Sequence, residues 1–320
     1  MQYTKLGKSD ITVSRLCVGC MSFGKAYEDF HPWTIDEDQT KASVKRALEI
    51  GINFFDTANV YSHGTSEEYL GRALKEYVSR DQVVIASKVY FNEGHLSKEA
   101  INREIDGSLK RLGTDYLDLY IIHRFDYDTP MEETMEALDR LVKAGKVRCL
   151  GASAMYGYQF ANLQQVAKDN GFTPFISMQN HYNLLYREDE RELLPICRQQ
   201  GIALTPYSPL AAGHLSRKQW DSSSKRGQTD FASAAKYDHA KENDMMIIER
   251  VSEVAEAHGA KMSQIALAWL WAKGVTAPII GATKPEYFDV SAAALDITLS
   301  DKEIKYLEEP YFPHKIVGAL

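Results

Sequence analysis

Short apolar runs recur along the chain, and each run ends at a polar residue. The runs are near-continuous rather than alternating, which predicts strands buried on both faces, as in a parallel sheet covered by helices. The stretches between the runs have the periodicity of helices. We count eight such runs, at residues 16–21, 52–56, 83–88, 117–123, 149–153, 175–179, 203–207 and 277–281.

The spacing of the strand ends predicts how these elements connect. From the second to the seventh strand, consecutive ends lie 32, 35, 30, 26 and 28 residues apart, which is the length of one βα unit. Eight such units predict the α/β class and a (β/α)8 TIM barrel, formed by residues 1–320 as a single domain. The polar strand-ending residues are Asp56, Lys88, His123, Ser153, Gln179 and Tyr207.

Local signals predict where several helices begin and end. Glycines that favour helix ends occur at Gly51, Gly113 and Gly145. Pro130 is predicted at a first helical position. Capping boxes that predict helix starts pair Thr34 with Glu37, Thr65 with Glu68 and Thr129 with Glu132.

Two segments depart from the repeat. The start, YTKLGKSDITVS, predicts two short strands around a turn at residues 7–10, a hairpin that closes the floor of the barrel. Between strands seven and eight the spacing rises to 74 residues. The polar segment 216–244 predicts a long mobile loop at the active-site end, followed by helices at about residues 244–258 and 263–273.

Composition and charge narrow the class of partner. The chain has 44% hydrophobic and 25% charged residues, which is ordinary for a globular protein. A net charge of −7 argues against nucleic acid or an anionic membrane as the main partner, because either needs excess Lys and Arg. A small molecule is the expected partner. No signal-peptide pattern occurs, and the run IALAWLWA is too short to cross a bilayer, so we expect a cytoplasmic protein.

Two of the four cysteines, Cys17 and Cys20, form the pattern C-V-G-C, which invites a metal or redox interpretation. The surrounding segment RLCVGCM predicts a buried strand, on which residues three apart point to opposite faces and cannot share a ligand. We therefore expect reduced core thiols and no metal site.

Candidate catalytic side chains lie at the ends of three adjacent strands. Asp56, Lys88 and His123 end the second, third and fourth strands, and Tyr61 closely follows Asp56. Because active sites of (β/α)8 barrels form where the carboxyl ends of the strands meet, we expect the four side chains to converge. A phenol has an ordinary pKa of about 10, and a neighbouring ammonium that lowers this pKa makes the phenol a usable general acid.

This hypothesis gives each residue a role. Asp56 stabilises the buried charge of Lys88, and Lys88 lowers the pKa of Tyr61. Tyr61 then protonates a substrate oxygen, which His123 orients through a hydrogen bond. Taken singly, such residues are more typical of a helix cap, a packed tyrosine and a structural histidine. Their joint placement at matched strand ends favours polarisation of a carbonyl group.

Seven stretches, taken in this order and at this spacing, resemble those of a known enzyme family: FFDTANVYSHGTSEEYLGRAL, VVIASKV, LDLYIIHR, GKVRCLGAS, SMQNHYNLLYRE, TPYSPLAAG and PIIGATKPE. Over about residues 3 to 310 the chain resembles the aldo-keto reductases, in the style of the bacterial and fungal oxidoreductases and of the relatives of potassium-channel β-subunits. The resemblance implies reversible reduction of an aldehyde or ketone by NADPH. It also implies that Asp56, Tyr61, Lys88 and His123 are the catalytic tetrad, with Tyr61 as proton donor.

The same resemblance assigns residues to the nicotinamide and pyrophosphate of the cofactor. Ser153 and Gln179 would hold the carboxamide, and the ring of Tyr207 would stack on the nicotinamide. The cofactor would lie extended across the barrel mouth without a Rossmann domain, and no G-x-G-x-x-G occurs in the chain. Ser208, Leu210 and Gly213 match the family's stretch that lies along the pyrophosphate of the cofactor.

At the adenosine end, the resemblance implicates the segment that begins at Gly281. Thr283 and Lys284 would bind a 2′-phosphate, which favours NADPH and leaves NADH possible. Tyr287 takes an adenine-side position at which an amide or basic residue is expected in relatives.

Two other functions stay open from the sequence. In a Schiff-base aldolase Lys88 would attack a carbonyl, although Asp56 should keep the lysine charged. A cofactor-binding regulatory protein with little turnover is the second alternative. The C-terminal segment PYFPHKIVGAL either packs on its own barrel or reaches a neighbour, so the oligomeric state is open between monomer and homo-oligomer.

The pocket walls are expected to be largely aromatic, which suits an apolar carbonyl compound. Arg124 either attracts an anionic substrate or pairs with Asp126 or Asp128. The expected wall residues are 22–33, Tyr90, Phe91, Arg124, Phe125, Met155 and Tyr156.

Overall fold

The structure is a computed structural model that describes residues 1–28, 31–220, 228–229, 236–237, 240–281 and 283–317. Its strands are short, from two residues in the shortest to seven in the longest. They are β1 (Tyr3–Lys5), β2 (Thr12–Ser14), β3 (Cys17–Gly19), β4 (Phe54–Asp56), β5 (Val84–Val89), β6 (Leu117–Ile122), β7 (Val147–Ser153), β8 (Phe175–Gln179), β9 (Ala203–Leu204) and β10 (Ile279–Gly281).

Eight parallel strands form the barrel. Strands β3 to β9 are neighbours in chain order, and β10 lies beside β3. Backbone hydrogen bonds from Ala277 N to Leu204 O (3.3 Å) and from Ile279 N to Pro206 O (3.0 Å) join the last strand to the β9 segment and close the sheet. The predicted (β/α)8 barrel is confirmed.

The N-terminal hairpin closes the barrel floor, as predicted. Strands β1 and β2 pair antiparallel. Leu6, which follows β1, and Val13 in β2 join the apolar cluster inside the barrel. Cys17 belongs to that inner cluster, whereas Cys20 packs in the cluster between strands and helices. The two thiols therefore point to opposite sides of the sheet, and all four cysteines are free.

The helices cover the outside of the barrel. In chain order they are α1 (Glu37–Glu49), α2 (Thr65–Tyr77), α3 (Lys98–Leu112), α4 (Met131–Lys143), α5 (Gly157–Asn170), α6 (Leu193–Gln200), α7 (Lys241–Ala257), α8 (Met262–Ala272), α9 (Glu286–Ala293) and α10 (Asp301–Glu308). The positions of α7 and α8 agree with the prediction to within a few residues. Gly51, Gly113 and Gly145 follow α1, α3 and α4 with φ of 86°, 67° and 75°, which confirms the predicted glycine stops.

The three predicted capping boxes are wrong. Helix α1 is capped by Asp36, whose side chain accepts a hydrogen bond from Gln39 N, and not by Thr34. The Thr65 hydroxyl donates to Ser62 O (2.7 Å) within the preceding turn, so Gly64 takes the N-cap of α2. The N-cap of α4 is Pro130 itself, because the neighbouring threonine hydroxyl bonds elsewhere. That hydroxyl, of Thr129, donates to Asp126 Oδ2.

The predicted loop at residues 216–244 falls largely outside the described residues, and its mobility remains a prediction. The structure describes residues 216–220, 228–229, 236–237 and 240–244 of this segment. At Tyr237 the hydroxyl bonds His181 Nε2 (2.7 Å) and accepts from Asn183 Nδ2 (3.1 Å), close beyond the carboxyl end of β8. This part of the segment lies at the predicted end of the barrel.

The described part of the C-terminal segment packs on its own barrel. Val317 N donates to the Tyr186 hydroxyl (3.1 Å), and His314 Nε2 lies 2.9 Å from the Oδ1 of the buried Asp244. Burial is the largest single influence and lowers the pKa of His314, but the hydrogen bond and charge of Asp244, with smaller effects of Phe312 and Glu188, together raise the net pKa. The segment is therefore an intramolecular strap in this chain.

Candidate active site

The four predicted catalytic residues converge at the carboxyl end of the barrel. Asp56 is the last residue of β4, Lys88 lies near the end of β5, and His123 directly follows β6. These strands are neighbours in the sheet, so their ends meet on one rim. Tyr61 begins the turn after β4, where Ser62 and His63 have φ of 47° and 52°. Such left-handed backbone at non-glycine residues is strained and is concentrated at functional sites.

Lys88 is the centre of the arrangement and is fully buried. Its ammonium donates to Asp56 Oδ1 (2.5 Å), to the backbone oxygen of Thr57 (2.7 Å) and to the Tyr61 hydroxyl (3.3 Å). An ammonium has three N–H donors, so all of them are used within the chain. Burial is the largest single influence and lowers the pKa of Lys88, but the charges and hydrogen bonds of Asp56 and Tyr61 together outweigh it and raise the net pKa to about 12. Lys88 therefore stays charged at neutral pH.

Asp56 uses both carboxylate oxygens. Oδ1 accepts from Lys88, and Oδ2 accepts from Gln179 Nε2 at 2.9 Å. Burial raises the pKa of Asp56, and the charge of Lys88 and the two hydrogen bonds oppose that rise. The Gln179 bond links β4 to β8 across the barrel mouth. It orients the Gln179 amide, a role that the sequence did not reveal.

The pKa of Tyr61 differs from the value that the sequence-based hypothesis predicts. Burial raises the pKa of Tyr61 above its ordinary value of 10.0, and the opposing effect of Lys88 is smaller. The predicted lowering of this pKa is therefore wrong in its net direction, because loss of hydration outweighs one hydrogen-bonded ammonium. The direction of the contribution from Lys88 itself is as predicted. Tyr61 is fully protonated at neutral pH, which a proton donor requires.

His123 is buried beside the phenol. Its ring centroid lies 5.8 Å from that of Tyr61 and 4.9 Å from that of Phe91, both in edge-to-face contact. Burial, followed by the charges of Lys88 and Arg124, holds the pKa of His123 well below 6.5. The imidazole is therefore neutral at neutral pH and carries one N–H. Its Nδ1 has no hydrogen-bond partner within the part of the chain that the structure describes.

The predicted nicotinamide contacts lie on the same rim. Ser153 ends β7 opposite Gln179 at the end of β8. The Ser153 hydroxyl oxygen is buried and has no partner among the described residues. Tyr207 stacks on His181 with centroids 5.2 Å apart, and His181 stacks on Tyr186 at 4.2 Å. Sequence analysis missed His181 and Tyr186, although the segment NHYNLLY follows Gln179 directly.

The predicted pyrophosphate stretch has unusual backbone. Ser208, Ala211 and Ala212 have positive φ of 53°, 47° and 54°, and Gly213 has φ of 98°. Asn183 Nδ2 donates to Ser208 O (2.9 Å) and holds the first of these turns. Successive backbone turns of this kind present N–H groups that bind anions. Leu210 lies within the stretch and is half-buried.

The predicted adenosine-end residues lie apart from the catalytic group. Gly281 ends β10 in register with Gly19. Thr283, Lys284 and Tyr287 are exposed on the turn into α9 and in its first turn. Within the described ranges, no hydrogen bond or ion pair connects them to the catalytic residues. The Lys284 ammonium also has no carboxylate within 4.0 Å in the parts of the chain that the structure describes.

Arg124 and several aromatic rings border the mouth. The Arg124 Nη1 donates to the backbone oxygen of His123 (2.8 Å), and its guanidinium carbon lies 5.4 Å from the Phe91 ring centroid. Phe91 and Tyr127 are 46% and 65% exposed, so large apolar area faces solvent here. Of the two alternatives left open for Arg124, the pairing with Asp126 or Asp128 does not occur among the described residues. Asp126 instead accepts hydrogen bonds from Leu96 N, Asp128 N and the Thr129 hydroxyl.

The described ranges lack two features that are typical of other functional classes. Among those residues no group of three or more His, Cys, Asp or Glu side chains is placed to hold a metal ion. No helix within them has the length and apolarity that a membrane span requires.

These geometries define a barrel with a cluster of candidate catalytic residues at its mouth, and sequence comparison identifies the family. The sequence profile of the aldo/keto reductase family matches residues 15–311. The chain is 40% identical to versiconal hemiacetal acetate reductase of Aspergillus parasiticus, over 99% of this chain and 98% of that protein. It is 41% identical to an aldo-keto reductase of Alternaria alternata, over 97% of this chain and 91% of the relative.

The chain therefore belongs to the aldo/keto reductase family. It is an oxidoreductase whose family acts on small carbonyl compounds and generally uses nicotinamide cofactors.

Proposed function

We propose that this protein reduces aldehydes or ketones to alcohols with NADPH, reversibly, and that Tyr61 supplies the proton. The observation that carries the proposal is the Lys88 ammonium, which donates to Asp56, to Thr57 O and to the Tyr61 hydroxyl. A hydroxyl that accepts from an ammonium keeps its own proton available for a substrate oxygen. The same ammonium then stabilises the phenolate that remains.

His123 has a complementary role in the proposal. Because its pKa is held well below 6.5, it is a neutral hydrogen-bond donor and not a competing acid. Its ring is in edge contact with Tyr61, so one substrate oxygen could contact both groups. His123 would orient the carbonyl for proton transfer from Tyr61. This division of labour resembles other sites in which a neutral imidazole polarises a carbonyl.

The rim residues fit a nicotinamide cofactor. The unpartnered Ser153 hydroxyl is suited to the carboxamide. The bond from Gln179 Nε2 to Asp56 leaves the Gln179 carbonyl oxygen to accept from the carboxamide. Tyr207, backed by His181, would stack on the ring, and the strained turns at residues 208–213 would bind the pyrophosphate. When bound, NADPH supplies the hydride for the carbonyl carbon.

The proposed activity is tested by a panel of aldehydes and ketones with NADPH and with NADH. The expected result is loss of reduced-nicotinamide absorbance together with formation of an equal amount of alcohol, faster with NADPH. Tight cofactor binding without turnover across the panel would instead support a regulatory protein. No observation in the structure favours that alternative over catalysis.

A Schiff-base mechanism is disfavoured by the contacts of Lys88. A nucleophilic amine needs a free lone pair, whereas this nitrogen is charged and donates three hydrogen bonds. We expect no covalent adduct when the protein is treated with borohydride and a carbonyl substrate, as read by intact mass. An adduct that disappears in Lys88→Met would contradict the reductase assignment.

Lys284 gives a prediction about cofactor choice. We propose that its exposed ammonium binds the 2′-phosphate with Thr283, and that Gly281 and Tyr287 border the adenosine. Lys284→Ala should then weaken NADPH binding by about tenfold or more and leave NADH binding nearly unchanged, as measured by fluorescence titration. Lys302→Ala, an exposed lysine in α10, is the matched control. Equal losses for both cofactors in Lys284→Ala would show that other groups hold the phosphate.

We also propose that the whole chain acts as a single barrel domain in the cytoplasm. Its hydrogen-bonded sheet runs from β3 near the N-terminus to β10, and its four cysteines are free thiols. Reduced thiols are typical of the cytosol.

A further inference from the structure

We infer that Arg124 binds an anionic group on the substrate, so that aromatic aldehydes carrying a carboxylate are preferred over their neutral analogues. This inference rests on the proposed carbonyl reduction and names the substrate class of the same site. Arg124 lies at the mouth and has no counter-ion among the described residues.

The charge of Arg124 is not compensated within the described part of the chain, where no carboxylate lies within 4.0 Å of its guanidinium. Several of the other described arginines that are partly shielded from solvent have such partners, whereas Arg15 donates to the backbone oxygen of Val275. Arg111 lies 2.6 Å from Glu67, and Arg187 lies 2.7 Å from Glu190. The nearest acidic candidate in sequence, Asp126, is already occupied by three hydrogen-bond donors. An arginine kept without a carboxylate beside a catalytic cluster is suited to receive one from a ligand.

The guanidinium is held in place from one side only. One N–H bonds the backbone oxygen of His123, and Phe91 lies beneath the group at cation–π distance. A guanidinium has five N–H donors in a rigid plane, so most remain for a ligand. The anchoring also lowers the entropy lost when a carboxylate binds in bidentate geometry.

Arg124 is close enough to act on the reacting groups. Burial is the largest influence on the pKa of Tyr61 and raises it. The charge of Arg124 is one of the smaller influences that lower this pKa. Burial is also the largest influence on the pKa values of His123 and Tyr207, and the charge of Arg124 lowers both values. These effects place the guanidinium within electrostatic range of both the proton donor and the predicted nicotinamide platform. Because Phe91 lies 5.4 Å from the Arg124 guanidinium carbon and 4.9 Å from the His123 ring, we expect an anion on a small substrate to reach Arg124 while its carbonyl lies at Tyr61.

The surface beside Arg124 and Tyr61 fits the aromatic ring of a substrate that carries its anion at one end and its carbonyl at the other. Phe91 contacts His123 edge-on at 4.9 Å, and Phe125 contacts Tyr127 at 5.0 Å. Gln159 Nε2 donates to the Tyr127 hydroxyl (2.8 Å) and fixes this wall. Exposed aromatic faces at a mouth are suited to stack an aryl substrate.

The test compares 4-carboxybenzaldehyde with methyl 4-formylbenzoate, which has the same aldehyde and ring but no charge. Steady-state kcat/KM with NADPH is measured for the wild type, Arg124→Met and Arg124→Lys. Arg140→Met is the charge-matched control, because Arg140 lies 54% exposed on α4 and pairs with Glu136. The readout is the ratio of kcat/KM for the acid to that for the ester.

We expect the wild type to prefer the acid and Arg124→Met to lose this preference by about ten- to hundredfold, mainly through KM. Arg124→Lys should retain part of it, and Arg140→Met should not change it. An equal loss for acid and ester in Arg124→Met would assign Arg124 to positioning His123 and overturn the inference. So would a wild type that prefers the ester. Reduction of neither aldehyde, nor of any panel compound, would overturn the proposed function itself.

Discussion

Replacing Tyr61 by phenylalanine should lower kcat for carbonyl reduction by about 10²- to 10⁴-fold and leave the Kd for NADPH unchanged. The variant removes the proton that the substrate oxygen needs, while the ring still fills its place beside His123. Lys88 loses one of three acceptors and keeps Asp56 and Thr57 O. Reduction is measured at saturating cofactor, and binding by fluorescence titration.

The control for this variant is Tyr120→Phe, which removes a buried hydroxyl without a partner on the outer side of β6. This variant should reduce substrate at the wild-type rate. If Tyr61→Phe retained full activity, Tyr61 would not be the proton donor. If it lost cofactor binding as well, the defect would lie in the shape of the site and not in proton transfer.

Replacing Lys88 by methionine should lower both activity and stability. The variant leaves Asp56 buried without its cation, and breaking such a pair typically costs about 3–5 kcal/mol of unfolding free energy. It also removes the donor that stabilises the phenolate, which should lower kcat by about 10²- to 10³-fold. Chemical denaturation and steady-state kinetics measure the two effects separately.

The pH dependence identifies the cause of this destabilisation. Burial already raises the pKa of Asp56, and Lys88 opposes that rise, so the pKa should rise further in Lys88→Met. A carboxyl with a raised folded-state pKa destabilises the fold fully above that raised value, and the penalty decreases as pH falls from there to the unfolded pKa, below which it is absent. The stability of Lys88→Met should therefore approach that of the wild type in acid.

A second variant tests the same point at neutral pH. Adding Asp56→Asn to Lys88→Met removes the uncompensated charge, so the double variant should be more stable than Lys88→Met alone. A stability difference that did not change with pH, together with no recovery in the double variant, would show that Lys88 matters through packing and not through its charge.

The barrel was predictable because each strand carries its own signal. Burial on both faces makes a run such as residues 117–123 nearly continuous in apolar residues, and regular spacing then limits the topology. The helix starts were less predictable. A threonine three residues before a glutamate can form several alternative local hydrogen bonds besides a capping box. The hydroxyls of Thr65 and Thr129 bond within the preceding loops.

The catalytic cluster was predictable for a related reason. Parallel strands in a barrel end on one rim, so polar residues at the ends of adjacent strands are expected to meet. The bond from Gln179 to Asp56 spans 123 residues of sequence and depends on the curvature that brings β8 opposite β4. No local pattern marks such a contact, nor the stack of His181 on Tyr186.

The pKa of Tyr61 could not be judged from sequence. Residue types indicate which charges are near, but the result depends on how strongly burial competes with them. Here burial prevails, and the phenol is a weaker acid than in water. In the proposed mechanism, proton transfer then depends on Lys88 stabilising the product phenolate as charge develops, and not on a phenol that is already acidic.

The central claim, that Tyr61 is the proton donor and His123 a neutral partner, is tested most directly by the pH dependence of kcat for carbonyl reduction. The measurement should extend from below the ordinary histidine pKa of 6.5 to above the ordinary tyrosine pKa of 10.0. A donor with a raised tyrosine pKa predicts a constant rate through neutral pH and a decline only above 10.0. A rate that falls with rising pH already below 6.5 would identify His123 as the acid and contradict the account.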